Sequence, residues 1–298
     1  MTLQQLSYLI KVAECGNITE AAKQLFVSQP TVTSAIHDLE KEMQIVIFIR
    51  TNKGVILSED GERFLGHARQ VLEQVDLIEG IYKDDVVSKP HFAVSCQHYS
   101  FAVNAFVDVI RKFDAYQYDF TIREEQTHEI IEDVTNLKSE LGVIYLSSKN
   151  TEVLSKMLKR NELEFTELFT ATPHVFICDS HPLASKKSIM DDLLDYPYLT
   201  YEQGEYNSQY FSEEFVSTLD SRKNIRVRDR ATLFNLIIGL NGYTVCSGVI
   251  SAELNGRNII SKPLDVDEYM RIGIISRKGV VLSRYAREYI EALKAHCM

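Results

Sequence analysis

A short run near the amino terminus constrains this chain more than any other part of it: Ala21-Ala22-x-x-Leu25-x-Val27-Ser28-Gln29-Pro30. Paired alanines let two helices approach closely, and Ser28 is a good N-cap for whatever follows. Pro30 falls in the first turn of that next helix, where a missing N–H costs nothing. The run therefore predicts two helices meeting at a turn over Val27-Ser28. Upstream, Leu3, Leu6, Ile10 and Ala13, with Leu9 and Val12 alongside, recur at helical spacing and predict the buried face of a first helix. Gly16 and Asn17 tolerate the left-handed conformation that ends such a helix. Thr19 is expected to cap the second helix, and Val32, Ile36 and Leu39 form the inward stripe of the third.

The outward face of that third helix carries Gln29, Thr31, Thr33, Ser34 and His37. Short polar side chains at a helix N-terminus suit phosphate oxygens and base edges in a major groove. Two β-prone runs follow, Ile45–Ile49 and Val55–Leu57, joined by Arg50-Thr51-Asn52-Lys53-Gly54. They predict a two-stranded wing with Arg50, Thr51 and Lys53 at its tip, where cations suit a nucleic-acid backbone. Charge argues the other way, since the chain carries a net −10. Residues 1–57 balance five basic groups (Lys11, Lys23, Lys41, Arg50, Lys53) against five acidic ones (Glu14, Glu20, Asp38, Glu40, Glu42). Any affinity for DNA must come from where the charges sit, with Thr19, Ser28, Gln29, Pro30, Thr31, Thr33, Ser34 and His37 facing the duplex beside the wing.

The stretch from Gln5 to Pro30, together with Ile36-x-x-Leu39-Glu40 and Phe48-x-Arg50-Thr51-x-Lys53-Gly54-Val55-x-Leu57-Ser58-x-x-Gly61, resembles the LysR-type transcriptional regulators. The chain departs from them at Thr33-Ser34-Ala35, where many members have a serine followed by a basic residue, and at Met43-Gln44 before the wing. The resemblance implies a winged helix-turn-helix over residues 1–58 that binds double-stranded DNA. A linker helix and hinge then span 59–89. Phe64, Ala68, Val71, Val75, Ile78 and Tyr82 recur at alternating spacings of four and three, a heptad seam that needs a partner helix. A two-fold operator favours a second copy as that partner; packing onto the same chain is the alternative. The family implies a homodimer, often paired again into a tetramer, with RNA polymerase as a further contact. Asp84-Asp85 and Ser88-Lys89-Pro90 mark the hinge.

Beyond Pro90 the pattern alternates strands with helices. His91–Ser95, Tyr118–Arg123 and Leu141–Leu146 read as strands, with helical Phe101–Phe113 and Glu129–Leu137 between them, so a parallel sheet is expected. Glu162–Ala171 crosses between subdomains. Val175–Cys178, Tyr198–Tyr201, Ile225–Val227, Tyr243–Cys246 and Ile259–Lys262 are expected to build a second sheet, Met270–Ser276 to return to the first, and Leu282 to Leu293 to close the chain as a helix. The resemblance implies a fold class of α/β with a winged helix-turn-helix head: a two-lobed effector domain over 90–298, similar to periplasmic solute-binding proteins. Lobe I covers about 90–161 and 266–298, and lobe II about 162–265. The cleft is expected where strand ends meet helix starts: Ser95, Gln97, His98, Tyr99 and Ser100; Gln126 and Thr127; Thr200, Tyr201 and Gln203; and Cys246, Ser247 and Gly248. Hydroxyls, amides and an imidazole there suit a small carboxylate or an amino acid. Gln97-His98-Tyr99-x-Phe101, Glu129–Val134 and Pro197-Tyr198-Leu199-x-Tyr201-x-Gln203-Gly204 also resemble Gram-positive regulators of methionine and cysteine metabolism, which implies a sulfur amino acid or a precursor as coinducer.

Five dispersed cysteines without a C-x-x-C pair give neither a disulfide framework nor a metal site, and no cofactor is expected. A redox sensor built on Cys96, Cys178 or Cys246 is the alternative to a ligand switch. Enzymatic use of the Ser95, Cys96 and His98 loop is disfavoured, because such close neighbours seldom reach catalytic geometry and no G-x-S-x-G surrounds a serine. No uninterrupted apolar stretch long enough for a membrane span is present and the N-terminus lacks a secretory pattern, so a cytoplasmic protein is expected.

Overall fold

The structure, a computed structural model of the whole chain, describes every residue except 53, 83–89, 114–116, 187–188, 207, 209, 215–220, 251–257 and 298. It divides into two compact units, one comprising Met1–His91 with the segments Gln117–Asp119 and Asn136–Lys138, the other the rest.

In the first unit, α1 (Leu3–Cys15) begins with a capping box between Thr2 and Gln5 and ends on Gly16 at φ 60. Its apolar stripe starts at Leu6; Leu3, in the first turn, stays exposed, contrary to expectation. Helix α2 (Ile18–Gln24) is capped by Asn17 and not by Thr19. The Asn17 amide oxygen accepts from the backbone N–H of both Thr19 (2.8 Å) and Glu20 (3.1 Å), satisfying two end donors, and Thr19 becomes a first-turn residue. Helix α3 (Gln29–Met43) is capped by Ser28 with Pro30 in its first turn, as read from the sequence. Leu6, Leu9, Val12, Ala21, Ala22, Val32, Ile36 and Leu39 form one buried cluster.

The wing is shorter than the sequence suggests: β1 (Phe48–Thr51) pairs antiparallel with β2 (Gly54–Leu57), and Ile45 to Ile47 lie outside the ladder. The reason is Glu40, whose carboxylate accepts from the N–H of Ile47 (2.7 Å) and Phe48 (3.1 Å) and so occupies donors at the strand entry. Val55 N–H donates to the Gly16 carbonyl at 2.8 Å, pinning the wing to the α1–α2 turn. Helix α4 (Glu59–Tyr82) starts where the Ser58 hydroxyl accepts from Gly61 N–H at 2.9 Å. The expected seam divides. Ala68 is buried in the head's own core with Phe64 packed against it, whereas Val71 and Ile78 are 39% and 58% exposed. Val75 is half-buried, and the side chain of Tyr82 and the hinge at 83–89 lie outside the described residues.

The second unit holds a five-stranded sheet in the order β4-β3-β5-β12-β6, from β3 (His91–Cys96), β4 (Asp119–Glu124), β5 (Leu141–Leu146), β6 (Leu163–Ala171) and β12 (Met270–Arg277). It is mixed and not parallel: β3 and β5 run parallel, but the returning β12 pairs antiparallel with both β5 and β6. Every residue of β5 is buried. Val143 and Tyr145 enter one core with α5 (Ser100–Phe113) and α10 (Arg284–Cys297), while Ile144 and Leu146 enter another with α6 (Thr127–Thr135) and α7 (Thr151–Arg160). An unbroken apolar strand is what a sheet covered on both faces requires. The expected second sheet is two sheets: β7 (His174–Cys178) between β10 (Thr244–Cys246) and β11 (Ile259–Pro263), and a parallel pair of β8 (Tyr198–Tyr201) and β9 (Asn224–Val227). Only the single bridge Tyr198 to Tyr243 joins them among the described residues. A short α8 (Met190–Leu193) and α9 (Arg230–Leu240, capped by Asp229) complete this lobe.

Gly54 sits at φ +143, and a Cβ there would meet the Gly16 carbonyl oxygen at 2.2 Å. Gly54→Ala should therefore cost the head about 2–4 kcal/mol through combined strain and overpacking. Urea unfolding of the full chain checks this; an unchanged midpoint would show that the wing does not need its contact with Gly16.

Candidate functional site

Two sites emerge, one in each unit. On α3, Ser28, Gln29, Pro30, Thr31, Ser34 and His37 are exposed on one side and Thr33 is half-buried. Their polar groups bond locally: the Gln29 amide donates to Thr33 Oγ1 (2.9 Å), and Ser28 and Thr31 share a hydroxyl contact (2.7 Å). Such exposed bonds exchange readily for base edges or phosphates. The head's cations are unequal. Lys11 and Lys23 pair with Glu14 (2.6 Å) and Glu20 (3.8 Å), while Arg50 and Lys41 have no carboxylate within 4.0 Å among the described residues. Arg50 and Thr51 are exposed on β1 and Thr19 is exposed on α2; Lys53 lies outside the described residues. Sequence reasoning passes over Phe26, which is 96% exposed at φ 55 in the turn between α2 and α3. A bulky residue held left-handed and uncovered is costly, and no periodicity could reveal it.

In the second unit the loops after β3, β4 and β8 do converge, but much of their polar equipment is spent on the chain itself. The Gln97 amide donates to Thr127 Oγ1 (2.7 Å), Thr127 N–H to Gln203 Oε1 (3.1 Å), and the Gln203 amide to Glu213 (3.2 Å). Gln97 Oε1 also accepts from Tyr99 OH and Tyr145 N–H. At the centre is a buried pair: His98 Nδ1 lies 2.8 Å from Glu213 Oε2, and His98 N–H donates to the same oxygen at 2.9 Å. Nε2 faces the Arg228 carbonyl at 3.1 Å, and the ring stacks on Tyr201 at 3.8 Å between centroids. Burial opposes the charge on His98, but the charge and hydrogen bond of Glu213, with Glu124 and Glu214 behind, raise its pKa. Glu214 is 1% exposed; it accepts from Tyr201 N–H (2.6 Å) and Ser212 hydroxyl (2.9 Å). Burial, reinforced by Glu213, pushes its pKa up to about 8.

Beside this network lies a cavity of about 40 Å³. Of the expected effector residues, His98, Tyr99, Ser100, Tyr201, Cys246 and Ser247 line it. The others do not. Ser95 bonds to Asp133 (2.8 Å) and Ser139 (2.9 Å) in a separate buried cluster, where burial and Asp133 push Glu125 up to about 7. Gln97, Thr127 and Gln203 act as braces, Gln126 packs under Gly204, and Thr200 of β8 pairs with Arg226 of β9. Gly248 turns at φ 84 against the His174 ring. Glu213, Glu214, Arg230 and Thr244 line the cavity too, and little in the sequence signals them. An acidic pair in a loop reads as solvated, and Arg230 follows a helix cap with no motif around it.

Cys96 is fully buried and Cys178 nearly so, and burial raises the Cys96 and Cys246 thiols well above the ordinary range. Among the described residues no group of three His, Cys, Asp or Glu side chains is placed to hold a metal, and no helix is long and apolar enough to cross a membrane.

Residues 3–62 match the model of the bacterial regulatory helix-turn-helix protein, lysR family, and residues 96–298 match the LysR substrate binding domain. The Escherichia coli DNA-binding transcriptional dual regulator OxyR is 22% identical over 302 residues, covering 99% of this chain and 95% of its own. The regulator ClcR of Pseudomonas putida is 44% identical over 77 residues, 26% of each chain. Among solved structures, a full-length OxyR variant from Pseudomonas aeruginosa superposes with a TM-score of 0.64 at 20% identity, covering 99% of this chain and 95% of that one.

The buried cluster dictates a pH profile. Glu214 holds its proton in the folded chain up to about 8, so its contribution to stability is complete below the ordinary carboxylic range and lost as pH rises through that value. The raised His98 acts in the same sense: its contribution is complete below the ordinary imidazole range and lost above its folded value. The melting midpoint of the second unit should fall as pH rises from about 4.5 to about 8, and Glu214→Gln should flatten that fall. Parallel curves for the variant and the parent would contradict the assignment.

Proposed function

Because the chain belongs to the LysR family of bacterial helix-turn-helix regulators, being a DNA-binding transcription regulator with an effector-binding domain and no enzyme, we propose that it reads an operator as a dimer and is switched by a small molecule in its cleft. The exposed polar face at the N-terminus of α3 carries the DNA half of this reading. Gln29 is suited to adenine, and Thr31, Thr33 and Ser34 to several base edges or a thymine methyl. Arg50 supplies backbone attraction. Val71 and Ile78, apolar and exposed seven residues apart on α4, fit a second copy of the same helix. Phe64 and Ala68, already committed to the head, leave the seam. Pairing of dimers into tetramers and contact with RNA polymerase follow from family membership alone.

The cavity beside His98 supports the effector half, since strand-end loops converge there and several polar groups face it. Closure around a ligand there would alter the angle between dimer halves and hence the DNA contacts. A redox switch, suggested by relatives described as hydrogen peroxide-inducible genes activators, fits this chain less well, because a buried thiol of raised pKa is a poor nucleophile. A sulfur amino acid or precursor as coinducer rests on residue resemblance, and the relatives above lend it no support. The reading places the protein in the cytosol with its DNA.

Genomic fragments selected by the protein would supply the operator. On that operator, Arg50→Ala should weaken binding across sequences and lower the salt slope by about one, while Gln29→Ala should relax base preference by about 1–3 kcal/mol. Fluorescence anisotropy across a salt series separates the two. Val71→Asp with Ile78→Asp should yield a monomer by light scattering and weaken operator binding together; a dimer that persists would place the interface elsewhere.

A further inference from the structure

We propose that the cavity beside His98 takes a small amino acid as a zwitterion, its carboxylate held by Arg230 and Thr244 and its ammonium by Glu214. This rests on the effector reading above and specifies its chemistry.

Two residues that line this cavity each carry a buried polar atom with no hydrogen-bond partner among the described residues: Arg230 at Nη1 and Thr244 at Oγ1. The other guanidinium nitrogen, Nη2, lies 3.0 Å from Glu124, so one side of the Arg230 fork is paired and the other is unmatched. A buried guanidinium donor left unmatched is expensive, and a carboxylate is the acceptor its geometry fits best. The same fold already holds one carboxylate in this manner. Glu213 sits against His98, taking a backbone N–H and a ring N–H together.

Charge excludes a plain acid. The cluster contains Glu124, Glu213 and Glu214 facing His98 and Arg230. Three carboxyl groups thus face two basic side chains, and an added carboxylate alone would enlarge that buried excess. A ligand carrying its own ammonium adds no net charge. Glu214 is the partner for it: the side chain lines the cavity and its two oxygens each accept one bond, leaving lone pairs on both. Phe176, Leu233, Phe234 and Val245 supply the rest of the wall, which suits a short apolar side chain. The volume of about 40 Å³ is roughly three water-sized positions, matching a head group and little more.

Calorimetric titration of the full-length protein with L-alanine, L-valine and L-methionine tests this, with propionate and ethylamine as the acid and amine lacking the opposite charge. At least one amino acid should bind, and propionate and ethylamine should bind about ten-fold more weakly or worse. Arg230→Ala and Glu214→Gln should each weaken amino acid binding by about ten- to a hundred-fold. Thr244→Val, which removes an unmatched hydroxyl and so should leave the melting temperature unchanged or higher, should weaken it several-fold. Failure of all three amino acids to bind, propionate binding as well as L-alanine, or wild-type affinity in Arg230→Ala would each overturn the proposal. If a different small molecule still shifts operator binding, the inference fails while effector control stands; if none does, effector control fails with it.

Discussion

The buried pair of His98 and Glu213 is the interaction on which the effector half turns. Taking an imidazolium and a carboxylate out of water is costly, and their attraction offsets the cost only when the remaining donors and acceptors are matched. Here they are. Both ring nitrogens of His98 have partners, its face lies on Tyr201, and Glu213 receives a backbone N–H and the Gln203 amide as well. From Gln203 the chain of bonds runs through Thr127 to Gln97 and on to Tyr99 and Tyr145. Loops following three different strands are thus fixed by one connected network beside the cavity.

The head is held by other means. Its core is apolar and its accuracy comes from main-chain satisfaction at the corners: Asn17 and Ser28 at helix starts, Glu40 at the strand entry, and the Gly16 carbonyl under the wing. Apart from Ser28, whose hydroxyl also meets Thr31, none of these lies on the exposed polar face of α3. That face can therefore vary without disturbing the scaffold, which is how one head serves many operators.

Legibility in the sequence follows the range of each interaction. The helices of the head, and β5 and β8, are readable because periodicity and caps are local signals, and the Ser28-Gln29-Pro30 start is legible to the residue. Thr19 is the exception, because two good caps stand two residues apart and only the bonds themselves choose between them. The seam on α4 is half legible, since a heptad pattern cannot say whether Ala68 meets its own head or a partner. The second lobe is the least legible. Its strands can be found, but whether five strands join in one sheet depends on long-range pairing, and here a single bridge at Tyr198 stands where a full ladder is expected. Of the cleft, loop positions can be placed by topology while the groups facing the cavity cannot. Gln97 and Gln203 turn inward as braces, and Glu213 and Glu214 come from a segment that composition would leave in water.

The pairing of Lys11 and Lys23 with neighbouring glutamates, in a head whose charges already cancel, bears on how the protein finds its site. Bulk DNA competes through phosphate attraction, and a surface with few uncommitted cations feels little of it. Such a surface is expected to favour free diffusion over sliding along the duplex. Fewer copies are lost on irrelevant genome, so a modest affinity for the correct sequence is enough to keep that site occupied.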